Sequence, residues 1–221
     1  MPLSASDARL ALIAVTSAGV AETESLLGRL VDSPEQVRSA LFETVPDLIG
    51  YYSLGSSALA VDWYDDLREA AEAPGRFTSE PVIPDREDKV RDMLGWATQP
   101  LFDGNPVEVS ARLLPAVQYE IALPNRTTLT ANVRRDPAAN GWQRVAAGGC
   151  KFCQMLAGRG AVYKQDTAHF ASHPNCHCTA QPVFQGHAGE EANVVQYAAS
   201  KRRRTEADRA RVREYLASMP D

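Results

Sequence analysis

All four cysteines (Cys150, Cys153, Cys176, Cys178) and all four histidines (His169, His173, His177, His187) of this 221-residue chain fall between residues 150 and 187. Residues scattered for packing do not segregate so completely, and thiolates grouped with imidazoles are the donor set of a metal ion. The pattern is Cys150-x2-Cys153, a spacer of residues 154–172, then His173-x2-Cys176-x-Cys178. Two cysteines two residues apart in a turn led by Gly148-Gly149 hold both thiolates on one side of an ion, with turn amides donating to the sulfurs. A second cluster about 20 residues later closes a tetrahedron, the usual arrangement of a structural zinc site. The candidate ligands are Cys150 and Cys153 with two or three of His173, Cys176 and Cys178. In extended chain Cys176 and Cys178 share a face, because side chains alternate; in a turn, His173 reaches the ion beside one of them. His169 and His177 are secondary candidates, and His187 reads as a surface histidine.

Other uses of the cysteines fit less well. Two disulfides would belong to an exported chain, and no basic start with a long apolar core marks an export signal. A thioredoxin-like redox pair needs its CxxC to open a helix after a strand in a βαβ setting, which the sequence does not announce. Buried thiols with no joint role would not explain the histidines. A zinc deaminase would show H-x-E followed by P-C-x-x-C; here Gly149 precedes Cys150. His173, Asn175 and His177 lie too close together for an HNH-type nuclease set. The expected site is therefore structural zinc, and the chain is not expected to be an enzyme.

Upstream, residues 1–135 read as a helical region. Residues 7–30 carry Leu10, Ile13, Ala14, Ala21, Leu26, Leu27 and Leu30 at three- and four-residue steps. Ser33-Pro34-Glu35-Gln36 is a capping box with proline at the first helical position, opening a segment that buries Val37, Leu41 and Val45 and stops or bends at Pro46. Residues 47–73 form the next helix, with Leu48, Tyr52, Leu59, Trp63 and Leu67 on one face, ended by Pro74-Gly75. Residues 76–84 read as a loop. Asp85 caps a short helix through Val90, Leu94 and Ala97 that ends at Pro100. Asn105-Pro106 opens another, which Pro115 and Pro124 divide into pieces reaching about residue 135. These apolar stripes read as core, and no phosphate-loop, dinucleotide or nucleophile-elbow motif occurs. No stretch approaches the roughly 20 apolar residues of a membrane span. Beyond Asp136 the texture turns glycine-rich, with strands expected at 142–145, 161–163 and 179–184. The reading is mainly α: a helical region over 1–135, a small α+β Cys/His zinc-stabilised module over 136–188, and a basic C-terminal helix over 189–221.

The net charge of −5 hides an asymmetry. Residues 1–149 carry 13 Lys/Arg against 21 Asp/Glu (−8), and residues 150–221 carry 10 against 7 (+3). The chain as a whole is not a general nucleic-acid binder. The run Lys201-Arg202-Arg203-Arg204 is the exception, and Arg202, Arg203 and Arg204 are candidate contacts to phosphates, without sequence readout, or to an acidic protein surface.

The chain resembles the MuF-like minor head (minor capsid) proteins of tailed phages, in the form encoded by phages and prophages of actinobacteria. The likeness rests on Ala60-x2-Trp63-Tyr64-Asp65-Asp66-Leu67-Arg68, Pro74-Gly75-Arg76-Phe77, Arg135-Asp136-Pro137-Ala138 and Gly141-Trp142-x-Arg144-Val145. It continues in Cys150-x2-Cys153-x2-Leu156-Ala157-x-Arg159-Gly160-x-Val162-Tyr163 and His173-x2-Cys176-x-Cys178-x3-Pro182-Val183-Phe184, and spans about residues 55–185. The resemblance implies a virion component present in a few copies, at the portal or in the capsid interior, acting in head morphogenesis or genome delivery. The implied partners are the portal and major capsid proteins, and packaged DNA non-specifically, with no membrane; the implied places are the virion and, during assembly, the host cytoplasm. Some relatives carry fused protease or toxin domains, and here nearly the whole length is used by the helical region and the Cys/His window. The rival readings are a metal-dependent nuclease or hydrolase on the same window, with His169 or His177 as base, and a zinc-finger-type adaptor.

Overall fold

Two capping boxes start the first two helices. In α1 (Ala5–Arg29) the Ser4 hydroxyl accepts from the Asp7 N–H while the Asp7 carboxylate accepts from the Ser4 N–H; in α2 (Pro34–Ala70) Ser33 and Gln36 make the same exchange. Each box satisfies two of the backbone donors that a helix start leaves open. The computed structural model describes residues 3–30, 33–146, 151–158, 170, 172–173, 175–184, 206, 210, 214 and 217. After α2 come α3 (Glu87–Thr98), a 3-10 turn over Gln99–Leu101, α4 (Pro106–Arg135), β1 (Ala139–Val145), α5 (Lys151–Ala157) and β2 (Thr179–Phe184). The molecule is mainly helical, as the sequence predicts, with β1 and β2 paired antiparallel from Ala139↔Phe184 to Val145↔Thr179. A register irregularity falls between Ala139 and Gly141, where Gly141 takes a φ of 146° that a side chain would disfavour. Pro182, which has no N–H for a ladder, is tolerated because among the described residues the ribbon has two strands, both at an edge.

Four expectations need correction. Of the two outcomes expected at Pro46, a stop is excluded: α2 runs unbroken from Pro34 to Ala70. Nor do Pro115 and Pro124 divide α4. Each internal proline removes one helical hydrogen bond and crowds the preceding turn, roughly 3 kcal/mol. What outweighs that cost is burial along one uninterrupted interface, since α4 packs against α1, α2, α3 and both strands. The third correction concerns α1, whose fully buried positions are Ala8, Leu12, Thr16, Gly19 and Thr23; Leu26, Leu27 and Leu30 pack half-buried against the aliphatic cluster, as expected, while Leu10 is 52% exposed. Small residues win this face because the helices approach closely: a Cβ on Gly19 would sit 2.4 Å from Ile121 Cδ1 and 3.0 Å from a Tyr52 ring carbon. The fourth is that α1 is, by length and composition alone, long and apolar enough to cross a membrane. Its alanines, glycines and threonines keep it apolar without forming an unbroken run of large residues.

Two apolar clusters divide the interior. One is aliphatic: Val37, Leu41, Val45 and Ile49 of α2, Val90, Leu94 and Ala97 of α3, and Val109, Leu113, Val117 and Ile121 of α4. The other is aromatic and joins helices to sheet, with Trp63 and Tyr64 of α2, Leu129 and Val133 of α4, Trp142 of β1, and Ala180 and Phe184 of β2. The Tyr64 ring meets Phe184 at 5.5 Å and Phe77 at 5.7 Å. Its hydroxyl donates to Asp136 (3.1 Å), which also accepts from Arg68 Nε at 2.9 Å. Arg68 in turn donates to the carbonyls of Pro74 and Gly75. Burial and the Asp136 carboxylate together push the Tyr64 phenol well above its ordinary range. Segments quoted separately from the sequence thus meet in one cluster.

Candidate metal centre

The second half of the Cys/His pattern is built on a turn. The His173 carbonyl accepts from the Cys176 N–H at 3.1 Å, and Asn175 inside that turn takes a φ of 62°. Asparagine tolerates this left-handed conformation better than most residues, which gives His173-x2-Cys176 its local geometry. From Cys176 the chain leads into β2, and Cys176 and Cys178 are buried while His177 between them is exposed. Alternation therefore puts both sulfurs on one side, as the Cys-x-Cys spacing predicts.

The first half contributes Cys153 from α5. Its sulfur lies 3.8 Å from Cys176 Sγ and 3.5 Å from His173 Nε2. The sulfurs of Cys153, Cys176 and Cys178 all lie within 4.8 Å of one another, on residues only 1%, 2% and 3% exposed. A hydrogen bond from Cys178 holds the Cys176 thiol below its ordinary range, opposed by burial and helped by the Arg126 guanidinium. The same bond, with burial, pushes Cys178 up. Three buried soft donors and an adjoining imidazole make a set suited to a thiophilic ion. Cys150, His169 and His187 lie outside the described residues, as do Arg202, Arg203 and Arg204; Glu206, Ala210, Glu214 and Ala217 further on are helical. The strand expected at 161–163 also lies outside them.

One rejected setting is half present. β1 leads to α5, which begins between Cys150 and Cys153, so the CxxC does meet a helix start after a strand. The two strands are antiparallel, however, and so form no βαβ unit.

The cysteine turn hangs from α4 through side chains that sequence reasoning missed. Gln118 Nε2 donates to the Cys176 carbonyl at 3.0 Å. Arg126, 1% exposed, donates from Nη2 to the same carbonyl at 2.5 Å and from Nε to the Cys178 carbonyl at 3.0 Å. Asn125 accepts from the Thr179 hydroxyl at 2.8 Å and donates to the Ser56 carbonyl at 3.1 Å, tying β2 to α2. Phe170 covers this layer, its ring facing the guanidinium carbons of Arg126 (5.2 Å) and Arg144 (3.9 Å) and stacked on Trp142. The signal for these residues was present: Asn125-Arg126-Thr127-Thr128 is poor helix-forming sequence placed inside a helix, yet such a run also describes a solvated face.

Elsewhere, a cleft of about 580 Å³ opens between α2, α3 and α4 beside Pro46 and Pro124. Its charged lining includes Glu43, Asp47 and Arg91, together with Arg86 and Glu120, which bind each other through two hydrogen bonds of 2.7 and 3.0 Å. No cysteine or histidine lines it.

No curated protein and no solved structure matches the chain. A family model described as VG15 protein does match, over residues 3–203, taking in the helices, the β ribbon and the whole cysteine–histidine window. The chain therefore belongs to the VG15 protein family, a family of phage proteins.

Proposed function

We propose that this phage protein is a MuF-like minor head protein, a non-enzymatic virion component of the portal region or inner head whose cysteine turn is closed by structural zinc. The observation that carries the zinc reading is the buried sulfur cluster. With Zn–S of about 2.3 Å and Zn–N of about 2.0–2.1 Å, the edges of a tetrahedron are about 3.8 Å between sulfurs and about 3.6 Å from sulfur to nitrogen. The Cys153–Cys176 and Cys153–His173 separations of 3.8 and 3.5 Å fit those edges. Cys153, Cys176 and Cys178 would hold the ion, with His173 or Cys150 as fourth ligand. Zinc would supply a cross-link between α5 and the start of β2, which a two-stranded ribbon needs more than a large sheet does. A thiolate-rich centre this deeply buried offers water little access, which favours a structural over a catalytic role. The minor-head reading draws support from phage family membership and from the convergence of Trp63, Tyr64, Arg68, Phe77, Asp136, Trp142 and Phe184, which carry the resemblance.

Purified protein is expected to carry one zinc per chain and to melt at lower temperature after chelation; zinc-free protein with chelator-insensitive melting rules the zinc reading out. Mass spectrometry of purified virions is expected to find the chain at a few copies per particle, and its absence there rules out the minor-head reading. The proposal extends to Arg202, Arg203 and Arg204 as a salt-sensitive contact to packaged DNA or to a portal or capsid surface. Truncation after Ser200 is expected to reduce virion incorporation or DNA association and to leave zinc content unchanged.

A further inference from the structure

We infer that Arg126 is the buried counter-cation of the metal–thiolate centre and fixes it to the helical body, an inference that rests on the zinc reading above. Its guanidinium is 1% exposed and reaches the centre by two routes, the Cys176 and Cys178 carbonyls. A cation taken out of water is strongly disfavoured unless it faces an anion. Among the described residues no carboxylate lies within ion-pair distance of Arg126: Asp136 is held by Arg68, and Glu120 by Arg86. The candidate anion is the thiolate set that Cys176 and Cys178 would present around the ion, on the turn whose carbonyls the guanidinium binds.

Zinc with three thiolates and a neutral imidazole carries one net negative charge, and with four thiolates it carries two. Either state leaves an anion in the interior that Arg126 would offset. The planar fork also orients the turn, since Nε and Nη2 bind the carbonyls of two different ligand residues at once. Arg126 is thus a positioning residue, acting on the ion through Cys176 and Cys178. Gln118, which donates to the Cys176 carbonyl without carrying a charge, supplies an internal comparison.

The test compares zinc affinity, by competition with a chromophoric chelator, in the full chain and in Arg126→Gln, Arg126→Lys and Gln118→Leu, with circular dichroism to verify folding. Removing an outer partner of a metal ligand lowers metal affinity about 10–100-fold. Arg126→Gln is expected to fall in that range, while Arg126→Lys, keeping the charge and losing the fork, retains more affinity than Arg126→Gln. Gln118→Leu is expected to lose less than Arg126→Gln. Cadmium-loaded protein should show the thiolate charge-transfer band shifted in Arg126→Gln and not in Gln118→Leu. A folded Arg126→Gln with wild-type affinity, or an Arg126→Lys no better than Arg126→Gln, overturns the inference and leaves structural zinc standing. Should Arg126→Gln fail to fold, Arg126→Lys decides alone: affinity within about tenfold of wild type supports the charge role, and a larger loss overturns it. A wild-type chain that takes up no zinc overturns the zinc reading itself, and this inference with it.

Discussion

The two halves of α4 are both buried, by different means. From Pro106 to Ile121 the helix presents Val109, Leu113, Val117 and Ile121 at four-residue steps, in one cluster with Val37, Leu41 and Val45 at the same steps on α2. This is ridge packing, specified by volume and shape and indifferent to which atoms touch. From Ala122 to Arg135 the buried set includes Asn125, Arg126, Thr128 and Asn132. Asn125 ties β2 to α2, and the other three bond to backbone outside the helices: Arg126 to the cysteine turn, Thr128 to Val82, and Asn132 to Glu80. Asn132 accepts from the Glu80 N–H and donates to its carbonyl; Thr128, one turn earlier, does the same for Val82. Two side chains at helical spacing thereby satisfy an extended segment as a neighbouring strand would. The first half contributes mainly apolar volume, with Gln118 reaching the cysteine turn, whereas the second adds to the buried Leu129 and Val133 the polar side chains that fix where the loops lie.

That contrast orders the expected effects. Leu113→Ala, at a fully buried position of the aliphatic half, is expected to cost about 3 kcal/mol and lower the Tm of the whole molecule by roughly 6–12 °C, measured by calorimetry. Asn132→Ala strips partners from both backbone groups of Glu80, and because Glu80 is exposed water replaces part of what is lost. The expected cost is about 1–2 kcal/mol, with faster amide exchange at Glu80 and little change among the α3 amides. A loss from Asn132→Ala as large and as global as that from Leu113→Ala would break the comparison, since it would make Asn132 a support of the bundle itself and not a local tie to the loop.

The same contrast explains what could be read in advance. The Ser33 box, the helix through Val90 and Leu94, and the strand over 179–184 are local patterns, and the structure contains them. Chain continuity through Pro46, Pro115 and Pro124 was not legible, because local chemistry argues for a break and only tertiary burial reverses it. The first turns of the packed face of α1 were missed for a related reason, while Leu26, Leu27 and Leu30 were read correctly. Leucines mark hydrophobic area, but close approach around Gly19 selects small side chains instead. At the candidate centre, cysteine and histidine spacing pointed to Cys150, Cys153, His173, Cys176 and Cys178; the structure brings the last four together, and Cys150 lies outside the described residues. The supports on α4 gave only the ambiguous signal of a poor helix-forming run, since Gln118, Asn125 and Arg126 have no distinctive spacing and acquire their roles from residues fifty or more positions away.

The smallest effect is the sharpest test of how the polar half works. Thr128→Val preserves shape and removes one hydroxyl, which accepts from the Val82 N–H at 2.9 Å and donates to the Val82 carbonyl at 3.2 Å. Other threonines on these helices, Thr16, Thr98 and Thr130, turn their hydroxyls back onto a carbonyl four residues earlier in their own helix. Replacing one of those by valine leaves a carbonyl that still belongs to the helical ladder, so little should change. Thr128 differs because its partner is another segment with no neighbouring strand. Thr128→Val is therefore expected to cost about 1 kcal/mol, nearly all of it local. Exchange at the Val82 amide should accelerate several-fold while that at Leu113 and Val117 stays as in the wild type. Thr130→Val, measured beside it, is expected to leave Val82 unaffected. If both variants protect Val82 equally, the segment over residues 78–84 is held by its apolar contacts, and the side-chain ladder along α4 contributes nothing to its placement.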